Sequence, residues 1–80
     1  MPSTVIMYMT SWCSDCMRSR KILQRSGASH IEIDIDKVPG AEVAMMAING
    51  GSGKVPTILV DGKVLIEPSD LELEKALRPE

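Results

Sequence analysis

Thr4-Val5-Ile6-Met7-Tyr8-Met9 is an apolar run with almost no alternation and many strand formers. A strand buried on both faces of a sheet has this pattern, which predicts a central strand. Thr10, Ser11 and Trp12 then form a short loop that delivers Cys13 to the start of a helix. From there Cys16, Ser19, Ile22, Leu23 and Ser26 recur at helical spacing, and Gly27 supplies the stop. Ile31, Ile33 and Ile35 alternate with Glu32, Asp34 and Asp36, the period of an edge strand with one wet face. With a helix between them, the two strands form a right-handed parallel unit.

In the second half, Ala41, Ala44, Met45 and Ile48 have the i, i+3, i+4, i+7 spacing of a helix face. That helix follows the Pro39-Gly40 break and ends at Asn49-Gly50-Gly51. Val55 to Val60 and Lys63 to Ile66 flank Asp61-Gly62, a dipeptide that favours a tight two-residue hairpin between antiparallel strands. Ser69 and Glu72 then stand three apart before Leu73, Ala76 and Leu77, the signature of a capping box opening a last helix that Pro79 closes. The predicted order is βαβαββα, an α/β chain with a mixed four-stranded sheet flanked by three helices. Its 80 residues fit one domain spanning 1–80.

Composition narrows the function. Hydrophobic residues are 44% and charged residues 25%, an ordinary globular balance. With no Phe, one Trp and one Tyr, aliphatic side chains and six Met must fill the core. A net charge of -2 provides no global basic field for a phosphate backbone, so no nucleic acid is expected as partner. Arg18, Arg20, Lys21 and Arg25 crowd the segment after the cysteines, and Glu67, Asp70, Glu72 and Glu74 gather near the C-terminus; both clusters read first as solvated faces. No apolar stretch approaches the ~20 residues that cross a bilayer, and Met1-Pro2-Ser3-Thr4 does not begin a basic, then apolar leader. A cytoplasmic monomer without membrane contact is therefore expected, and in that reducing compartment a Cys pair is catalytic or metal-binding before it is a staple.

The candidate chemistry lies in Trp12-Cys13-Ser14-Asp15-Cys16, where a strand feeds a helix. A thiolate attacks a substrate disulfide, and a second thiol one turn away resolves the mixed disulfide. At the helix start, unpaired N–H groups and the helix dipole favour a thiolate at Cys13, while Cys16 lies deeper. The basic residues after the pair act in the same direction and Asp15 in the opposite one. A mononuclear zinc site needs four Cys or His ligands, and the chain has only Cys13, Cys16 and His30. His30 reads as a surface residue. An iron-sulfur cluster shared between two chains, or another metal-binding role, is the alternative. Gly50-Gly51-Ser52-Gly53-Lys54 is not a phosphate loop, because Ile48 stands at its first Gly, Val55 replaces the Ser or Thr, and it follows a helix. It reads as a flexible connector to Val55-Pro56.

Three motifs in order, the Cys pair after a strand, Val55-Pro56-Thr57, and Ser69-Asp70-Leu71 opening the last helix, together resemble the glutaredoxin family within the thioredoxin fold. The resemblance implies a thiol-disulfide oxidoreductase with Cys13 as nucleophile and Cys16 as resolving thiol. It also implies a cis Pro56 that turns the Val55 backbone towards the substrate, where local sequence alone favours an ordinary trans proline starting a strand. Ser69 and Asp70 match positions that hold the glutamyl end of glutathione at a helix N-terminus, and Lys54 is placed to meet another carboxylate. The expected thiol-binding set is thus Trp12, Lys54, Val55, Pro56, Ser69 and Asp70, with no metal ligand and no tightly bound cofactor.

Some positions depart from the common family pattern. Ser14-Asp15 replaces Pro-Tyr, Thr10 stands where a Lys is frequent, and Ile66-Glu67 replaces a glycine pair ahead of Pro68, which has no N–H to donate. These departures weaken tight glutathione binding. Trp12 and Pro68-Ser69 look more like mycoredoxins and related bacterial redoxins. Expected partners are disulfide-containing proteins and glutathione or another low-molecular-weight thiol as co-substrate, with thioredoxin reductase as a second candidate reductant.

Overall fold

The computed structural model describes residues 2–78; the expected helix stop at Pro79 lies outside them. The elements follow the expected order: β1 Val5–Met9, α1 Ser14–Ser26, β2 Ile31–Asp34, α2 Ala41–Ile48, β3 Thr57–Val60, β4 Lys63–Ile66 and α3 Asp70–Leu77. They form one four-stranded sheet in the order β2-β1-β3-β4. β1 runs parallel to β2 and antiparallel to β3, and β3 pairs antiparallel with β4. The parallel pair needs a crossover, which α1 supplies; the antiparallel pair needs only a turn.

That turn is Asp61-Gly62, with φ of 47° and 88°, the left-handed pair that matches strand twist in a tight hairpin. Asp61 has a second task. Its carboxylate accepts the N–H of Ser3 at 3.0 Å and of Thr4 at 2.7 Å, fixing the entry to β1.

The main core lies on one face of the sheet. Val5, Met7 and Met9 of β1, Ile58 and Val60 of β3, Ile22 and Leu23 of α1, and Leu73 and Leu77 of α3 belong to one buried cluster. Met and Leu fill the volume that aromatic side chains usually take. The opposite face of β1 is only half-covered: Ile6 and Tyr8 are half-buried, so the strand is central in the sheet without being sealed on both sides. α2 is short, and only its Ala41 and Met45 are buried. The expected partners on that helix face, Ala44 and Ile48, are exposed instead.

β2 also differs from its pattern. It ends at Asp34, two residues early, and Ile31 is 60% exposed. Asp34 is responsible for the stop: its carboxylate accepts the Asp36 N–H at 2.9 Å, and its carbonyl accepts those of Lys37 and Val38. These bonds turn the chain where strand pairing would have continued. At the end of α1, Gly27 takes φ 78° and closes the helix as expected. Ser26 is exposed and not part of the buried stripe; its hydroxyl donates to the Leu23 carbonyl at 2.7 Å and accepts the Ala28 N–H.

Candidate active site

Cys13 is the N-cap of α1, with extended backbone at φ -89°, ψ 112°. An N-cap side chain normally offers oxygen to the first free amides; here sulfur does so, and the Cys16 N–H donates to Cys13 Sγ across 3.1 Å. The thiol of Cys13 in turn reaches the Val55 carbonyl at 3.7 Å. Both cysteines are free thiols. Cys13 retains 7% exposure and Cys16 has none, the order expected of an attacking and a resolving sulfur. Burial pushes the Cys16 thiol up to about 12, helped by its hydrogen bond to Cys13 and opposed by the Thr10 backbone. Cys16 therefore keeps its proton in the resting pair, and the Cys13 sulfur accepts the Cys16 backbone N–H.

Val55 and Pro56 form the second wall. Their peptide bond is cis, as the resemblance implies, and both residues precede β3 instead of opening it. The 50–54 connector is not loose. The Asn49 amide donates to the Ser52 carbonyl at 2.9 Å and to Thr57 Oγ1 at 3.1 Å, and accepts the Ser52 N–H at 2.8 Å. Thr57 Oγ1 donates to the Lys54 carbonyl at 2.9 Å. From the other side, the Glu67 N–H donates to the Pro56 carbonyl at 2.9 Å. Asn49, Thr57 and Glu67 thus position the segment that faces Cys13.

Ser69 caps α3 with the full reciprocal box: its hydroxyl accepts the Glu72 N–H at 3.1 Å and its own N–H reaches Glu72 Oε1 at 2.9 Å. These bonds hold the Glu72 carboxyl below its usual range. Ser69 makes no hydrogen bond to either cysteine among the described residues. Asp70 is engaged: Arg18 Nε lies 2.9 Å from Asp70 Oδ1, and Arg18 Nη1 lies 3.0 Å from Asp15 Oδ1. One guanidinium thereby connects the residue between the cysteines with the start of α3. Lys54 Nζ lies 3.5 Å from Glu67 Oε1, and the Trp12 indole N–H donates to Asp36 Oδ2 at 2.9 Å with the ring 74% exposed.

The structure accordingly brings Cys13 into contact with both Cys16 and Val55. It sets Lys54 and Asp70 in ion pairs of the chain's own. The basic segment is not a freely solvated face, since Arg18 is shared by two acids and Arg20 Nε donates to Glu32 Oε2 at 2.7 Å. His30, expected at the surface, is 13% exposed and lies 2.8 Å from the same Glu32 oxygen. Arg20 first, and His30 second, hold the Glu32 carboxyl below its usual range. A cavity of about 350 Å³ opens beside Ser11, between Met17, Arg20, Glu32 and Lys37. The expected thiol-binding residues lie outside it. Sequence reading named Thr57 only as part of the Val55-Pro56-Thr57 motif and Arg18 only as part of a basic segment, and it gave Asn49 and Glu67 no role in building the site; of these last two, Asn49, before two glycines, carried a local signal.

A family model described as Glutaredoxin matches residues 5–65, spanning the Cys pair, Val55-Pro56, β3 and all but the last residue of β4. A Mycobacterium tuberculosis protein named as a putative glutaredoxin is 33% identical over 76 residues, covering 94% of this chain and 90% of that protein. The glutaredoxin of Pseudomonas aeruginosa is 39% identical over 56 residues, 70% of this chain and 66% of that one. Among solved structures, the glutaredoxin of Archaeoglobus fulgidus superposes with a TM-score of 0.85 at 28% identity, covering 99% of this chain and 89% of that one. The fold is thioredoxin-like, with a mixed four-stranded sheet and three helices. By the matched span and by these relatives, the chain belongs to the glutaredoxin family of thiol-disulfide oxidoreductases.

Proposed function

We propose that this protein reduces protein disulfides, and mixed disulfides with low-molecular-weight thiols, with Cys13 attacking and Cys16 resolving. The Cys13 thiolate attacks one sulfur of the substrate disulfide, the S–S bond breaks, and the departing thiolate takes up a proton. Either Cys16 or a free thiol then attacks the mixed disulfide at Cys13. One observation carries the division of labour. Cys13 Sγ receives the Cys16 N–H at 3.1 Å while retaining some exposure, whereas Cys16 is sealed and holds its proton.

Trp12, Lys54, Val55, Pro56, Ser69 and Asp70 form the thiol-binding surface in this reading. The Val55 backbone, adjacent to Cys13 Sγ, pairs with the substrate as an added strand would. The first amides of α3 receive a carboxylate. A reducing compartment such as the cytoplasm suits the free dithiol.

Turnover of a glutathione mixed disulfide by C13S and C16S variants tests the assignment. C13S is expected to be inactive, and C16S to retain most activity because a free thiol replaces the resolving step. A C13S variant that keeps its activity overturns the reading. Following NADPH consumption with glutathione plus its reductase, and separately with thioredoxin reductase, identifies the reductant. A brown preparation whose visible absorption disappears in air would favour the cluster-binding alternative.

A further inference from the structure

We propose that Glu67 sets the charge preference of the substrate site: it occupies the Lys54 ammonium beside Val55, so that a carboxylate on the incoming disulfide gains no cation there. The proposal rests on the thiol-binding reading above and deepens it. The site then accepts a disulfide with a neutral arm as readily as one with a carboxylate.

Glu67 takes φ 44°, in the left-handed region that glycine occupies freely and a residue with a Cβ does not. Such backbone persists where the surroundings hold it, and it points to a use for the side chain. The other described non-glycine residue in this region, Asp61, uses its carboxylate on the N–H groups of Ser3 and Thr4. Glu67 has a use of its own: its Oε1 lies 3.5 Å from Lys54 Nζ. A glycine at this position would leave that ammonium free.

The place of the pair decides what it does. The Glu67 N–H donates to the Pro56 carbonyl at 2.9 Å while its carboxylate meets Lys54, so one residue holds both neighbours of Val55. The Val55 carbonyl lies 3.7 Å from Cys13 Sγ, and a disulfide attacked by Cys13 therefore lays one arm along this segment. Lys54 is the cation that the segment offers to such an arm, and it already faces an acid of its own chain. On the side of α3, Arg18 is likewise held by Asp15 and Asp70. The arm meets a rim of paired charges instead of a basic one. With Lys54 67% and Glu67 40% exposed, water screens the pair, and its effect on binding has the size of a surface ion pair.

The test compares oxidised glutathione with its oxidised glycyl ethyl ester, two disulfides that differ in one carboxylate on each arm. The rate at which each forms an adduct on Cys13, followed by intact mass on a C16S background, gives an acid-to-ester ratio for every variant. A purely structural defect slows both disulfides and leaves the ratio alone. E67Q frees Lys54 and should raise the ratio about two- to fivefold, and K54Q uncovers Glu67 and should lower it by a similar factor. In K54Q/E67Q the ratio should return to that of the C16S parent, and E67D, which keeps the charge, should stay near it. An E67Q ratio equal to the parent's overturns the proposal. So does a double variant whose ratio falls with that of K54Q, because Lys54 would then already receive the carboxylate in the parent. Should E67Q fail to fold, K54Q leaves residue 67 in place, and an unmoved K54Q ratio overturns the proposal equally. C13S run alongside keeps the two readings apart. A C13S that gains the adduct at the parent's rate overturns the thiol assignment itself, whereas an inert C13S with an unmoved E67Q ratio removes only the role of Glu67.

Discussion

Arg18 Nε lies 2.9 Å from Asp70 Oδ1, joining the helix that carries the cysteines to the first turn of the helix expected to hold the thiol. Asp70 is therefore not a free anion awaiting a ligand ammonium. A thiol that binds there must compete with a guanidinium that also holds Asp15. Both partners are about half-exposed, so the competition is weak. Replacing Arg18 by Gln is expected to lower KM for a glutathione mixed disulfide by roughly two- to fivefold with little change in kcat. A KM that rises instead would mean that Arg18 itself receives a ligand carboxylate.

The buried thiol of Cys16 makes stability depend on pH on the alkaline side. Its folded value is raised from an ordinary 9.0 to about 12, so the folded state holds the proton more tightly than the unfolded chain does. The resulting stabilisation is complete below the unfolded value and is lost as pH rises towards the folded one. Thermal melts of the reduced protein and of C16A, taken between neutral pH and the upper end of this window, check it. The advantage of the wild type should shrink as pH climbs; a constant difference would contradict the cause.

Glu32 gives the opposite sign. Arg20 and His30 lower its carboxyl from the ordinary 4.5, so the stability it contributes is present above that value and is lost as pH falls through the lowered one. E32Q should cost about 1–3 kcal/mol near neutral pH, because the partly buried Arg20 loses its charged acceptor. The deficit should close in acid, where the wild-type carboxyl is also neutral. Chemical denaturation at several pH values measures it.

Ser69 separates structure from binding. S69A removes the cap of α3 and should destabilise the protein by about 1 kcal/mol. G at the same position keeps most of the cap's geometry and should cost only a few tenths of that. Should both variants raise KM for the mixed disulfide equally at matched stability, the hydroxyl itself contacts the thiol.

The frame of the molecule was readable because each of its signals is local. The run Val5 to Met9, the Asp61-Gly62 turn, the Gly27 stop and the Ser69/Glu72 box each depend on residues a few positions apart, and each stands where expected. The errors have two sources. Nothing between residues 41 and 48 says that α2 leaves Ala44 and Ile48 open, and at Asp34 the period-2 pattern competes with a local turn in which the residue takes the amides of Asp36, Lys37 and Val38 instead of continuing β2. The site divides in the same way. The two cysteines and Val55-Pro56 announce themselves, but the ion pairs Arg18–Asp70 and Lys54–Glu67 cross large stretches of sequence and carry no motif. His30 looked like a surface residue because its partner Glu32 sits on a strand whose exposure the period-2 pattern misjudged.

The most direct measurement is intact-mass analysis of C16S and of C13S after mixing each with oxidised glutathione. C16S should accumulate a single glutathione adduct, which peptide mapping places on Cys13, and C13S should remain unmodified because its remaining sulfur is sealed and protonated. A C13S protein that gains the adduct as fast as C16S would contradict the assignment of Cys13 as the attacking thiol.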